Sequence, residues 1–252
     1  MSSGTVTELY RYPVKSLQGL ACSSLQIESE GVAGDRQWAL IDVETETLMS
    51  AKRWSRLFEA SAGEAGIDLP DGTHVPYQSP DVDTLLSAWM GRPVRLARAG
   101  TPTERSYEMT FDPPDDSAEY YAIPAPAGTF VDLAAVHLVS TSTLAAGVDA
   151  RPDLDWDVRR FRPNVVIDAE VEPFGEDAWT GTALRVGAAV LSVSQPTVRC
   201  AMPLRAQPGL DRQPELYSAL DDLHDNHLGI YLDIVEPGRI AVGDPVTSEL
   251  SR

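Results

Sequence analysis

The chain has 252 residues, 43% of them hydrophobic and 23% charged, enough to bury one large core or two small ones. Its 38 acidic and 20 basic residues leave a net charge of −18, which disfavours nucleic acid and anionic membranes as partners and favours basic proteins. Two cysteines, Cys22 and Cys200, exclude a disulfide framework and a cluster held by four thiolates, and a reducing cytoplasm is the expected compartment. No signal segment is visible at Met1–Thr5, and no apolar run reaches the ~20 residues that span a bilayer.

The first third reads as β-rich. Residues 6–12 alternate loosely up to Pro13, Leu25 to Glu28 alternate cleanly before Gly31, and Trp38 to Asp42 form a short apolar run suited to a buried strand. Leu48 to Ser50 and Leu57 to Ala62 are further strand candidates, and Asp71-Gly72 marks a hairpin between Ile67-Asp68-Leu69 and His74-Val75. Asp81 to Met90 is expected to be a helix, with Val82, Leu85, Leu86 and Trp89 on one face and Gly91 as its stop. Residues 100–129 are rich in proline and read as a connector or flap. Tyr107, Tyr120 and Tyr121 suggest that part of it packs down. The division expected from this pattern is 1–118 and 119–252.

The second half opens on Val136 to Val139, followed by a hydroxyl cluster, Ser140-Thr141-Ser142-Thr143, at the start of a helix. Such a cluster suits an N-cap and also an anion held at the helix start. Val165 to Ile167, Leu184 to Val186, Val190 to Val193, Ile230 to Val235 and Ile240 to Val246 are strand candidates, and Pro214 to His224 is a helix candidate. Many short strands with few helices give a mainly β fold with some α, a barrel or sandwich with helical decoration.

Cys200 closes the segment Pro196-Thr197-Val198-Arg199-Cys200, just beyond a strand. The adjacent guanidinium favours a thiolate, the form that attacks electrophiles or binds a soft metal; the alternative is a small thiol filling core space. Lys15, Arg36, Arg159, Arg160, Arg162 and Arg199 fall in short segments rich in Pro, Asn and Gly, a placement that suits either an internal anion site or scattered surface ion pairs. His224 and His227 have the spacing of one helical face, but Asn226 and Gly229 point to a helix end there. His137 reads as a core or wall residue. Glu176 and Asp177 read as a turn or as groups that orient the basic side chains.

Six segments carry a family resemblance: Tyr12-Pro13-Val14-Lys15-Ser16, Gly34-Asp35-Arg36-Gln37-Trp38, Arg160-Phe161-Arg162-Pro163-Asn164, Pro173 to Trp179, Pro196 to Cys200, and Gly238 to Val246. In this order they resemble the MOSC-domain superfamily with its N-terminal β-barrel companion domain, the subgroup being that of the mitochondrial amidoxime-reducing component and its bacterial relatives. The resemblance implies a MOSC-type barrel preceded by a smaller β-rich domain, and binding of the molybdenum cofactor with Cys200 as the ligand to the metal. It places Lys15, Ser16, Arg36, Ser140, Thr143, Arg162, Asn164 and Arg199 near the cofactor. Arg199 either keeps the thiolate charged or turns away into an ion pair. Val198 stands where relatives often carry a small or hydroxyl residue. The implied activity is reduction of N-hydroxylated substrates such as amidoximes, with electrons from a separate redox protein. The alternative is a carrier that handles the cofactor or its sulfur through a Cys200 persulfide.

Overall fold

The computed structural model describes residues 3–100, 106–124 and 128–249; Met1, Ser2 and two stretches of the 100–129 connector, 101–105 and 125–127, lie outside the described residues. Seven strands close into a barrel in the order Val165–Ala169, Val136–Ser140, His227–Glu236, Ala189–Val198, Ala183–Val186, Pro245–Glu249 and Ser3–Arg11, the last pairing back onto the first. Leu20–Cys22 continues the sheet beyond the Ser3–Arg11 strand. The fold is mostly strand with few helices, as the sequence predicts.

The barrel interior follows from the two-residue period of a strand. Val136 and Leu138, Val165 and Ile167, Leu184 and Val186, Leu191 and Val193, and Ile230 and Leu232 all point into one buried cluster. The first strand alternates only loosely because it is bulged. Its register against Val165–Ala169 shifts between Val6 and Glu8, which turns both Val6 and Leu9 inward although they are three residues apart.

A second core forms around the Trp38–Asp42 strand and the Val82–Met90 helix, where Leu40, Met49, Leu57, Phe58, Ile67 and Leu86 are buried together. The helix ends on Gly91 in the left-handed region, where its missing Cβ removes the usual steric cost. The strand expected over Leu57 to Ala62 is largely a 3-10 turn, Ser55–Glu59, followed by the two-residue strand Ser61–Ala62. Leu57 and Phe58 are adjacent and both fully buried, which the alternating faces of a strand do not allow here.

A third core gathers Val139, Trp156, Phe161, Leu204, Leu216, Leu220 and Leu228 beneath the helices Thr141–Ala150 and Glu215–His224. Ser140 caps the first of these helices, its Oγ accepting from the Thr143 N–H at 3.2 Å. The run Ile240 to Val246 divides at Gly243. Gly238–Ala241 joins a small sheet with Ser24–Glu28, while Pro245–Glu249 enters the barrel. The connector contains a hairpin, Ser106–Met109 with Tyr121–Pro124. Tyr107 is buried and Tyr120 donates its hydroxyl to the Lys52 carbonyl at 2.8 Å, whereas Tyr121 remains exposed.

Leu9 sits where the first strand closes the barrel. Leu9→Ala is expected to lower the unfolding free energy by about 2–5 kcal/mol, measured by urea denaturation, because it opens a cavity at that seam.

Candidate functional site

A cavity of about 330 Å³ opens beside the barrel. Lys15 and Ser16 reach it from the loop after the first strand, Arg36 from the Gly34–Arg36 turn, and Lys52 from the turn before the Ser55–Glu59 helix. The barrel strands contribute His137 and Tyr231. Phe161, Arg162 and Asn164 come from the end of a short helix, Val158–Phe161, and Val198, Arg199 and Cys200 from the end of the Ala189–Val198 strand. Tyr107, Met109 and Phe111 of the hairpin cover one side.

The backbone is contorted where it delivers these groups. Ser16, Arg36, Arg162 and Asn226 all line the cavity and all have positive φ, at 68°, 46°, 54° and 56°. For Ser16, Arg36 and Arg162 this left-handed conformation costs roughly 1–2 kcal/mol each, while asparagine at 226 tolerates it better. Such strain gathers where the surrounding structure holds residues in place for a purpose.

Five cations, Lys15, Arg36, Lys52, Arg162 and Arg199, face this space, against one lining carboxylate, Asp132. In a protein of net charge −18 the wall is therefore an electropositive enclave. Asp132 lies between the two lysines, paired with Lys15 and, at 2.7 Å, with Lys52. Burial alone would raise its carboxyl, but the two ammonium groups dominate and hold it far below the usual carboxylate range. Burial also lowers Lys15, only partly offset by Asp132. Burial opposes the charge on Lys52 as well; there Asp132, and then Cys200, win and raise it.

Tyr12 organises two of the arginines. Its buried ring carries the Arg162 guanidinium at 4.1 Å from its centroid and that of Arg36 at 4.8 Å, while its hydroxyl donates to the Pro163 carbonyl at 3.0 Å. Asp35, itself buried, pairs with Arg36 and accepts the Tyr12 N–H at 2.7 Å. Burial brings Arg162 down to about 10, so it stays cationic at neutral pH. Arg162 Nη1 donates to the Leu17 carbonyl at 2.8 Å, but among the described residues the buried Nη2 has no hydrogen-bond partner.

Cys200 is half-buried and lines the cavity. Arg199 donates to the Phe161 carbonyl at 2.9 Å and approaches His137 Nε2 at 3.5 Å, and its buried Nε has no hydrogen-bond partner among the described residues. Burial first, then Arg199, press the His137 imidazole well below its ordinary value, so it is neutral. Asn226 donates to the Arg199 carbonyl at 2.8 Å and accepts the Arg199 N–H on its own carbonyl at 2.9 Å, which braces the Arg-Cys segment. Gly229, at φ 79°, lets its strand lie close against Val136–Ser140: a Cβ there would meet the Leu138 carbonyl at 2.5 Å.

The structure thus brings Lys15, Ser16, Arg36, Arg162, Asn164, Arg199 and Cys200 to one cavity. Asn164 is committed to structure: its amide nitrogen donates to the Tyr10 carbonyl and to Asp35, and its oxygen accepts the His137 N–H. Ser140 and Thr143 are not among the lining residues. Both hydroxyls bond the buried Glu176 carboxylate, at 3.0 and 2.9 Å. His224 bonds Asp177 at 2.7 Å and stacks on Phe174, and among the described residues no group of three or more potential ligands gathers around a metal position. Sequence reasoning did not find Lys52, Asp132, Asn226 or Tyr231 as site residues; that Lys52 is one of only two lysines is the signal that marks it.

Removing the shared carboxylate should leave two buried ammonium groups facing each other. Asp132→Asn is expected to lose about 3 kcal/mol of stability at pH 7. A depressed carboxyl stabilises above its unfolded value and loses that contribution as pH falls towards its folded value. The wild-type advantage should therefore begin to shrink below about pH 4, read by urea unfolding across a pH series.

Comparison with known proteins agrees with this architecture. Residues 3–85 match the MOSC N-terminal beta barrel domain and residues 126–247 match the MOSC domain. The chain is 30% identical over 232 residues to a molybdenum cofactor sulfurase of Oryza sativa subsp. japonica, covering 76% of this chain and 27% of that protein. It is 25% identical over 275 residues to a molybdenum cofactor sulfurase of Danio rerio, covering 92% of this chain and 32% of that protein. The chain thus spans between a quarter and a third of these relatives' length. Among solved structures, the YUAD protein from Bacillus subtilis shares the fold at a TM-score of 0.51 and 12% identity, over the full length of both chains. With both regions matched in this order, the chain belongs to the MOSC-domain family and carries the MOSC N-terminal β-barrel domain ahead of its MOSC domain.

Proposed function

We propose that this protein binds the molybdenum cofactor in the cationic cavity, with Cys200 as the protein ligand to the metal, and reduces N-hydroxylated compounds with electrons from a separate redox protein. The observation that carries the reading is the meeting of an accessible cysteine with five cations in one pocket. The donor set suits the group. A thiolate is the soft ligand such a metal takes, and guanidinium groups suit a phosphate. Arg162 Nη2 and Arg199 Nε are buried donors without hydrogen-bond partners among the described residues, which leaves both guanidinium groups incompletely neutralised beside the cavity. A cavity of about 330 Å³ lies within the range of small-ligand sites.

When bound, the molybdenum supplies the two-electron chemistry that breaks the N–O bond. The protein's share is to bind, orient and supply charge. Tyr12 and Asp35 fix the two arginines on the anion-binding side, while the Asn226 contacts brace the loop that presents the Cys200 sulfur. Each lysine ammonium has three N–H donors. Lys15 directs two to Phe130 and Asp132, and Lys52 two to Glu108 and Asp132, which leaves one on each uncommitted among the described hydrogen bonds. The overall reaction consumes two electrons and two protons and releases the reduced nitrogen compound and water.

A second reading is favoured by the names of the two curated relatives, both molybdenum cofactor sulfurases. In it Cys200 carries a persulfide, or the chain holds the cofactor without turning over substrate. Metal analysis and mass spectrometry separate the two. Protein made in a host that synthesises the cofactor should carry about one molybdenum and one pterin per chain, and Cys200→Ala should lose the metal. Arg162→Ala should weaken pterin retention by about tenfold or more through the lost charged hydrogen bonds. Sulfane sulfur on Cys200 with no reduction of a model amidoxime by reduced viologen would favour the carrier, and wild-type protein with neither pterin nor sulfane sulfur would sink both readings.

A further inference from the structure

Large apolar side chains are unevenly placed on the exterior of this acidic molecule. Of the eight that stand exposed among the described residues, Phe111, Leu133 and Val198 line the one cavity described above. A fourth, Tyr121, sets its ring against that of Phe111 at a centroid distance of 5.4 Å. Phe111 is 77% exposed, a large loss for an aromatic ring with nothing to cover it. Exposed apolar residues scattered singly need no explanation, but a cluster around an opening marks a surface that something covers. These residues come from three separate segments: the hairpin, the loop beside Asp132, and the strand end that leads to Cys200.

We propose that this apolar collar is a substrate subsite, which takes the uncharged alkyl or aryl substituent of a small molecule whose polar N–O head enters the cavity towards Cys200. The proposal deepens the functional reading above and rests on it for the identity of the head group. The shape of the site favours a small amphipathic guest. The collar is continuous with the cavity, so one molecule can occupy both. The hairpin turn also carries exposed Asp112, Asp115 and Glu119, which repel an anionic tail and an anionic bilayer alike.

Isothermal titration of the full chain with straight-chain amidoximes, from acetamidoxime to octanamidoxime, tests the assignment without turnover. The dissociation constant should fall by about two- to fourfold per methylene in the wild type, and the dependence should flatten in Phe111→Ala and Leu133→Ser. Both positions are exposed, so neither change threatens folding. A terminal carboxylate on the octyl chain should weaken binding by about tenfold through the acidic turn. Equal constants along the series, or an unchanged slope in both variants, would overturn the proposal and leave the collar to a protein partner. An intact chain-length dependence with no reduction of any member of the series by reduced viologen would instead uphold the subsite while sinking the redox reading.

Discussion

The pairing of Ser3–Arg11 with Val165–Ala169 is the constraint on which the rest depends. It is the seam that closes the barrel, and it joins residues about 160 positions apart in the chain. The loop leaving the first strand carries Tyr12 to Ser16, and the turn entering the other strand carries Arg162 to Asn164. The seam therefore lays the two richest motifs of the sequence side by side. The Tyr12 ring under Arg162 and the Asn164 bonds to Tyr10 and Asp35 are local consequences of that one alignment.

Around this seam the charges are held rather than freely displayed. Asp35 holds Arg36, and Asp132 is shared by Lys15 and Lys52. A buried cation is costly without a partner, so the fold supplies just enough carboxylate to keep the group charged and still leaves the pocket net positive. Arg162 and Arg199 go further: carbonyl oxygens and aromatic faces carry most of their contacts, and each keeps one buried N–H unspent. That arrangement keeps two guanidinium charges beside the pocket without a carboxylate to neutralise them.

How much of this was legible in the sequence depended on contiguity. The Lys15-Ser16, Arg36, Arg162 and Arg199-Cys200 segments stood out because several unusual residues sit next to one another. The barrel strands were legible because Val136/Leu138, Val165/Ile167 and Ile230/Leu232 keep a two-residue period. Lys52 and Asp132 were not, since their meaning lies in a contact between residues 80 positions apart. The hydroxyls of Ser140 and Thr143 were legible as a helix cap, but not their second partner, Glu176, which arrives from a distant 3-10 turn. The proline-rich connector concealed its hairpin because that short ladder pairs only with itself, and its attachment through Tyr120 and Lys52 is tertiary.

The left-handed backbone at Ser16, Arg36 and Arg162 sets a limit on how this protein could be improved. Glycine is the residue that such φ values suit, so a search for thermostable variants would be drawn to these positions. At 36 and 162 the gain in local ease would come with the removal of a guanidinium from the pocket wall. Ruggedness and ligand capture therefore pull the same codons in opposite directions, and a heat-selected lineage would be expected to drift towards a sturdier barrel with an emptier pocket.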